Sequence, residues 1–525
     1  MADMKNLILT ILTAVGGMCL ISCGDFLDVK PVGKMIPTEV SQFENLLNNE
    51  LTLQYFMYDN NNGCFYAALG DNIEISENQL NYLYTATFPN LDILAAYIFY
   101  SPIMRLTSTP FTWTYPFRAI GYFNNVTDGI SKIDSESEYA KSIMAVARAG
   151  RAWLYMNLAL TYGPMYNPGS PNDTKVIPCR VSGDPTTPNG DLSTTAEIFR
   201  QVKADLDYAC ENCPLNVSNP SRANRACAYG LRAEYHMYVR DWKNMLADCQ
   251  RAWELAMNDR KSLDNMLYDF RDFHYEATSP VSVDPGVSPE TGMTFRGPDN
   301  DFAKTRNKEN LLFRYAPYSY SSGKFYPSAD WQSLFDKAHD MRWKLFALNY
   351  PGYSTTVGTE KHDDGIRVVY FRDKNLSTTE ALTYPLLLLM KAEAEARNGD
   401  LTTALADLNL LRRYRYDFGT AASTDLPGGA SLSQDELLTE ILAERRREQP
   451  MATFQRTLDL KRYALDNGKP WSKMTIVHTC GSKTYSKTIT DACFQSLPID
   501  NAILKYNPQW GIPEHTEAFD PVAEK

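Results

Sequence analysis

Small residues recur at helical spacing in adjacent pairs of segments, and that pattern limits the chain to a narrow set of folds. Ala226, Gly230, Ala233 and Met237 recur at steps of three and four, the chain breaks at Arg240-Asp241, and Met245, Cys249, Ala252 and Ala256 continue the spacing. A second pair follows: Leu389, Ala392 and Ala396, the turn Asn398-Gly399-Asp400, then Ala404, Leu408 and Leu411. Small side chains at a crossing let antiparallel helices approach closely, as in tetratricopeptide-type hairpins. Ala149, Ala152, Met156 and Ala159, within RAGRAWLYMNLALTYG, mark a further buried helix. Helices are expected at 194–213, after a Pro/Gly/Asn-rich loop over 163–192, and at 433–448, after Pro427-Gly428-Gly429. Residues 277–310 lack periodicity and read as loop, with short strands expected near 366–371 and 484–489. The fold class is mainly α, with long loop-rich excursions at about 53–115 and 260–378 and a few short strands. The two hairpins are separated in sequence by residues 258–378.

The N-terminus reads as an export signal. Met4-Lys5-Asn6 is a short basic start, residues 7–21 are apolar, and the run ends in Leu20-Ile21-Ser22-Cys23, a lipobox in which the thiol of Cys23 is acylated. Residues 1–22 are then a removable lipoprotein signal peptide and 23–525 the mature ligand-binding unit. The apolar run falls short of the roughly 20 residues of a bilayer span and contains Gly16-Gly17. Cys19, preceded by Gly17-Met18, fits a lipobox less well, and Asp3 inside the leader points to Met4 as the natural start. Two or three acyl chains, at about 0.8 kcal/mol per buried methylene, hold a protein on a membrane where one chain does not.

The leader contains one acid, Asp3, and one base, Lys5, so the mature chain keeps the net charge of -11. That charge argues against nucleic acid and against a polybasic membrane patch. Of the ten cysteines, Cys210 and Cys213 lie close together and Cys480 and Cys493 flank a strand-like stretch, but spacing does not fix pairing. No second pair or histidine completes a zinc set beside Cys210 and Cys213. Asp299-Asn300-Asp301 lacks the spacing of a calcium loop. The six histidines are scattered, and no Gly-x-Ser-x-Gly elbow, dinucleotide fingerprint or Walker loop is present. Carboxylate spacing identifies no glycosidase pair. No catalytic residue, metal site or cofactor is therefore assigned, and binding without chemistry is the favoured reading. Arg445, Arg446, Arg447 and Glu448 read as a solvated or structural ion-pair helix rather than an anion site, and Trp113, Tyr115, Trp153, Trp242 and Trp253 as scaffold.

The excursions are dense in aromatic residues set among Asn, Asp and Arg. A sugar offers an apolar face and a rim of hydroxyls, so flat rings beside polar side chains suit it. The ligand-binding candidates are Asp71, Asn72, Tyr82 and Tyr84 in the first excursion, and Arg314, Tyr315, Tyr318, Tyr320 and Trp331 in the second. Covering about 100 Å² of one ring yields about 2.5 kcal/mol before ordering costs, so micromolar binding needs two or three rings plus hydrogen bonds.

Read together, these pieces resemble the SusD/RagB family of bacterial surface nutrient-binding lipoproteins. Cys23-Gly24-Asp25-Phe26-Leu27-Asp28 with Pro31 is similar to the family's mature start. Phe117-Arg118-Ala119-Ile120 with Asn124-Asn125-Val126, and RAWLYMNLALTYGPM from Arg151, resemble two of its helices. So do Ala196-Glu197-Ile198 with Asp205-Leu206, Glu393-Ala394, and 408–412. Glu444-Arg445-Arg446 with Glu448, Arg456 and 459–462 resembles its charged signature, although Thr453 and Phe454 stand where an acid and a glycine are common. Pro498-Ile499, Ile503 and Asn507-Pro508 resemble its terminus. The resemblance implies a right-handed superhelix of tetratricopeptide-like hairpins, a lipid anchor on the outer-membrane surface, and a SusC-like TonB-dependent transporter as partner. It implies glycan capture in the excursions, or peptide capture as in RagB. A surface glycan hydrolase and a protein-binding scaffold are the readings from other classes.

Overall fold

The computed structural model describes residues 37–53, 65–85, 90–100, 111–184, 186–188, 190–277, 293–298, 304–314, 325–370, 376, 379–420, 422–488, 496–516 and 520–525. Cys23, Tyr315, Tyr318, Tyr320, Cys493 and Asp299-Asn300-Asp301 lie outside them.

Among the described residues, eleven helices carry the scaffold: α1 Val40–Leu46, α2 Asn90–Tyr97, α3 Phe111–Ile133, α4 Glu138–Tyr162, α5 Thr195–Asn212, α6 Arg225–Tyr238, α7 Trp242–Arg260, α8 Tyr384–Arg397, α9 Leu401–Arg412, α10 Gln434–Glu448 and α11 Phe454–Tyr463. Their starts follow local chemistry. Thr194 with Glu197 and Ser433 with Glu436 form reciprocal capping boxes for α5 and α10, and Asp241 and Asp400 cap the second helix of each hairpin. The tight turns need left-handed backbone: Arg240 has φ +62 and Gly399 φ +91.

The helices pack in sequence order, α3 on α4, α4 on α5, α5 on α6 and α6 on α7. The next step is the informative one. α8 packs directly on α7, so the hairpins α6/α7 and α8/α9 are neighbours in space although residues 261–383 separate them in the chain. The second excursion is looped out of a continuous helical stack. Gly230 lies where an added Cβ would come within 2.6 Å of Leu382, in the short strand before α8, so this small residue makes room for that strand. α8, α9 and α10 share a core of Leu388, Leu389, Ala392, Leu408, Leu411, Leu437 and Ile441. This is the mainly α, tetratricopeptide-like superhelix expected from the sequence.

Strands among the described residues form antiparallel pairs. The expected strands near 366–371 and 484–489 appear as Ile366–Tyr370 and Lys483–Thr488. Residues 277–310 depart from the loop reading, because His274–Ala277 pairs with Met293–Arg296 and Asn310–Leu312 pairs with Leu382–Thr383. The first of these pairs joins segments with 278–292 between them, a separation that alternation within either segment does not reveal. Cys179, Cys210, Cys213, Cys227, Cys249 and Cys480 are free thiols, and burial pushes the Cys210 thiol up to about 12. No helix of the described residues is long and apolar enough to cross a membrane.

Candidate ligand-binding cleft

Three stretches remote in sequence are brought together beside α10 and α11. From the first excursion, β1 (Ile73–Glu74) pairs antiparallel with β2 (Tyr326–Pro327) of the second, Ile73 opposite Pro327 and Glu74 opposite Tyr326. Ser328 fastens the joint: its N–H donates to Asn72 O at 2.9 Å and its Oγ to Asp71 O at 2.7 Å. Ser328 also caps the four-residue helix Ala329–Gln332, which presents Asp330 outward. The third stretch is the hairpin of β3 (Thr475–Cys480) and β4 (Lys483–Thr488), closed by the two-residue loop Gly481-Ser482 with Gly481 at φ +58.

Between these elements lies a cleft of about 320 Å³ lined by Asp71, Ile73, Glu74, Tyr97, Ser328, Ala329, Asp330, Lys473 and 475–479. That volume is at the small end of the roughly 300–1,000 Å³ typical of ligand pockets. On β3 the burial alternates: Thr475, Val477 and Thr479 face outward, Ile476, His478 and Cys480 inward.

The floor is a charged cluster. The Asp71 carboxylate accepts from Arg456 Nε at 2.8 Å, Arg456 Nη2 at 3.0 Å and Lys473 Nζ at 2.7 Å, and forms an ion pair with Arg446 Nη2 at 3.1 Å. Burial would raise the Asp71 carboxyl, but Arg456, Arg446 and Lys473 hold it well below the usual carboxylate range. Asp330 shares two of these partners, Arg446 at 2.8 Å and Lys473 at 2.9 Å, and its carboxyl is lowered because those cations outweigh its partial burial. Glu74 pairs with Arg367 at 2.8 Å. His478 sits between the rings of Tyr97 and Phe99, at 4.4 and 4.6 Å, with Nδ1 2.7 Å from Tyr97 O and Nε2 2.6 Å from Gly70 O. Burial pushes its pKa down, while the two carbonyl acceptors favour the imidazolium.

A second polar joint lies along the same excursions. Asp364 accepts from Ser76 Oγ at 2.6 Å, Asn78 Nδ2 at 2.8 Å and Tyr326 Oη at 2.8 Å. Nearby in sequence, the half-buried ring of Tyr82 stacks on His362 at 4.1 Å between centroids.

The candidates drawn from sequence therefore divide. Asp71 lines the cleft but is only 6% exposed, and Asn72 behind it is committed to the scaffold, accepting from Arg446 Nε and donating to Met451 O. Tyr82 keeps part of its surface. Tyr84 and Trp331 are fully buried; Tyr84 packs beside Phe325, and Trp331 against Phe335 and Tyr370, so neither ring faces a ligand in this structure. Arg314 is buried too, donating to Ser221 O and Phe313 O at 2.8 Å each. The physical reason is common to all three: a long excursion without its own core must bury its largest side chains to stay in place. Composition placed Asp330 beside the rings of the second excursion, but it did not single out Glu74, Lys473 or β3. Asp330 carries no spacing signal, and the alternation over 475–480 that marks β3 says nothing about what its outer face meets.

The charged signature has its explanation here. Arg445, Arg446 and Arg447 project from α10 in three directions, to Asp459 at 3.0 Å, to the cleft floor, and to Glu444 at 2.7 Å with Leu334 O at 2.7 Å. Glu448 receives Arg342 and Arg415, each at 3.0 Å. α10 thus pins the second excursion onto the superhelix through buried ion pairs, so of the two readings left open for these four residues the structural one holds and the solvated one does not.

Two family models match the chain. One, described as "Starch-binding associating with outer membrane", covers residues 25–236, and one described as "SusD family" covers 384–510. The chain belongs to the SusD/RagB family. The matches leave 237–383 uncovered, the interval that holds the second excursion. Among solved structures, the fold is similar to a SusD superfamily protein from Bacteroides fragilis, with TM-score 0.59, 16% identity, and coverage of 90% of this chain and 99% of that one. It is similar also to a putative sugar binding protein from Bacteroides vulgatus (TM-score 0.61, 17% identity, 90% and 98% covered) and to a SusD superfamily protein from Bacteroides thetaiotaomicron (0.60, 15%, 89% and 96%). At such identities the likeness shows the fold alone. No curated protein matches the chain. SusD/RagB proteins are outer-membrane-associated binding proteins.

Proposed function

We propose that this protein is a cell-surface lipoprotein, anchored through Cys23 once residues 1–22 are removed, that captures an oligosaccharide or polysaccharide and delivers it to a SusC-like TonB-dependent transporter. It binds without covalent change. The observation that carries the reading is the cleft: both excursions and the β3/β4 hairpin meet there, on the fold of a family of binding proteins, around side chains suited to hydroxyls. Asp330 and Glu74 offer carboxylate oxygens as acceptors, and Thr475 and Thr479 offer hydroxyls. Net hydrogen bonds of about 1 kcal/mol each fall short of the roughly 8 kcal/mol of micromolar binding, so the proposal retains Tyr82, Tyr315, Tyr318 and Tyr320 as the rings that supply the remainder.

Isothermal titration of the full chain in mild detergent against a broad glycan panel tests this. Saturable binding that weakens at least tenfold in Asp330→Ala is expected; silence across the panel sinks the glycan reading.

A second reading, peptide capture, is favoured by one feature of β3. Tyr97 Oη donates to Thr479 O at 3.0 Å, so the Thr479 backbone points away from β4. The period of two puts the backbone groups of Val477 and Thr475 on that same edge, which borders the cleft and suits an added strand. Saturable binding of a mixed peptide pool, with none of glycans, would select it.

A further inference from the structure

The two strand pairs that wall the cleft leave facing backbone edges unused. In β1/β2 the Ser328 N–H bonds Asn72 O, so Asn72 and Glu74 spend their backbone groups on β2, and Ile73 and Ile75 turn theirs toward β3. In β3/β4 it is Ile476, His478 and Cys480 that pair with β4, while Thr475, Val477 and Thr479 turn their groups toward β1. The two edges run in the same direction, since Lys473 meets Asp71 at one end and Thr479 lies opposite Ile75 at the other. They are not hydrogen-bonded to each other, yet their Cα atoms come within 8 Å. Paired strands lie about 4.8 Å apart, and a strand inserted between two others needs about 9.6 Å, so the gap is too wide for the first arrangement and too narrow for the second.

One side chain shows what fits such a gap. The Tyr97 hydroxyl stands between the walls, donating to Thr479 O at 3.0 Å and hydrogen-bonding the Ile75 backbone. A group that faces an N–H on one side and a C=O on the other must accept and donate through one atom, which a hydroxyl does and a peptide amide does not. Two residues back along both walls, the same offset sets Ile73 N–H opposite Val477 O, about 6.6 Å from the Tyr97 oxygen. Among the described residues neither of these groups has a hydrogen-bond partner. Building on the glycan reading, we infer that this position takes one sugar hydroxyl, which accepts from Ile73 N–H and donates to Val477 O as the Tyr97 hydroxyl does beside it. Selection there rests on backbone geometry rather than on the charges of the cleft. Tyr97 is the positioning residue, because its hydroxyl holds the two edges one hydroxyl apart. An extended peptide would have to push β1 away from β3 before it could pair with both edges.

The test is hydrogen-exchange mass spectrometry with electron-transfer fragmentation, which reads single amides, on the full chain in mild detergent. The chain is measured free and saturated with the tightest binder of a panel that holds maltoheptaose, xylohexaose and mannohexaose. The Ile73 amide should exchange at least tenfold more slowly in the complex, while the Ile75 amide, already held by Tyr97, keeps its rate. In Tyr97→Phe, shown to be folded by thermal melting, the Ile75 amide should exchange at least tenfold faster without ligand, and the glycan should bind at least tenfold more weakly. A glycan that saturates the parent and leaves the Ile73 amide unchanged overturns the inference, while the glycan reading stands. If folded Tyr97→Phe keeps either the parent's Ile75 rate or its affinity, Tyr97 does not set the gap and the inference fails. If a mixed peptide pool binds and slows the Ile73 and Val477 amides together, the walls part to admit a strand and the inference gives way to the peptide reading. Silence of the folded parent across the panel overturns the glycan reading and the inference with it.

Discussion

Two clusters of the same residue types, one behind α10 and one at the cleft, show how burial decides what a charge does. Behind α10, Arg342 and Arg415 are completely buried and meet Asp340, Glu444, Glu448 and Glu309 at 2.6–3.0 Å. At the cleft, Lys473 and Asp330 make equally short contacts but keep 39% and 49% of their side chains open. In the first cluster solvent cannot replace a lost partner, so each member is held to one arrangement and the excursion is locked to the superhelix. In the second, water competes for Lys473 and Asp330, their mutual pair contributes little to stability, and their open edges remain available to a ligand. The chain uses one chemistry to build a rigid support and, a few residues away, to line a surface that can respond.

Breaking the buried cluster should have the largest effect. Arg415→Met removes the arginine that pairs Glu309 and one of the two that meet Glu448, all at full burial, and a loss of about 3–5 kcal/mol is expected in urea unfolding followed by circular dichroism. A loss below about 1 kcal/mol would place the two clusters in one class.

The pH dependence sharpens the contrast. Burial works against ionisation of Glu444 and Asp459, but Arg342 and Arg447 for the first and Arg445 and Arg462 for the second hold each carboxyl down at about 2. Groups depressed on folding contribute stability above their unfolded pKa, near 4, and lose it as pH falls toward 2. Unfolding midpoints should therefore drop steeply across that window, by up to about 2–3 kcal/mol per group. Glu234 behaves in the opposite sense. Buried on α6, with Oε2 lacking a hydrogen-bond partner, it is raised to about 7 mainly by burial. A raised carboxyl contributes stability below about 4.5 that is lost as pH rises through 7. Glu234→Gln should therefore melt higher than the parent at pH 8, by about 1–3 kcal/mol, with the gain gone at pH 4.

The smallest effect is expected at the cleft. Asp330→Asn should change folding stability by less than about 1 kcal/mol, because its partners keep Asp71 and solvent. A larger loss would mean that the cleft cluster supports the fold in the way the α10 cluster does.

Much of the fold could be read from residues in order. The hairpin helices, their breaks at Arg240-Asp241 and Asn398-Gly399-Asp400, and the capped starts of α5 and α10 depend on side chains within a turn or two of one another. The ion pairing of 445–448 was legible in outline, but not their burial, which depends on the distant segments packed over α10. The candidate site was legible only in outline. Asp71 is in the cleft, while Tyr84, Trp331 and Arg314 pack the excursions, because a large or charged side chain in a loop reads the same whether it meets solvent or the scaffold.

The sequence by itself determined the helical hairpins, the spacing that lets them cross closely, and the family to which the chain belongs, because all of these rest on local periodicity and motif. Tertiary structure alone decided that α7 meets α8 across residues 261–383, that β1 pairs with β2, and that Asp71, Asp330 and Lys473 share one cleft. Those outcomes rest on contacts between residues up to 402 positions apart. No local pattern encodes such contacts, because they form only when the excursions bury their rings and buried arginines draw distant carboxylates to a common place.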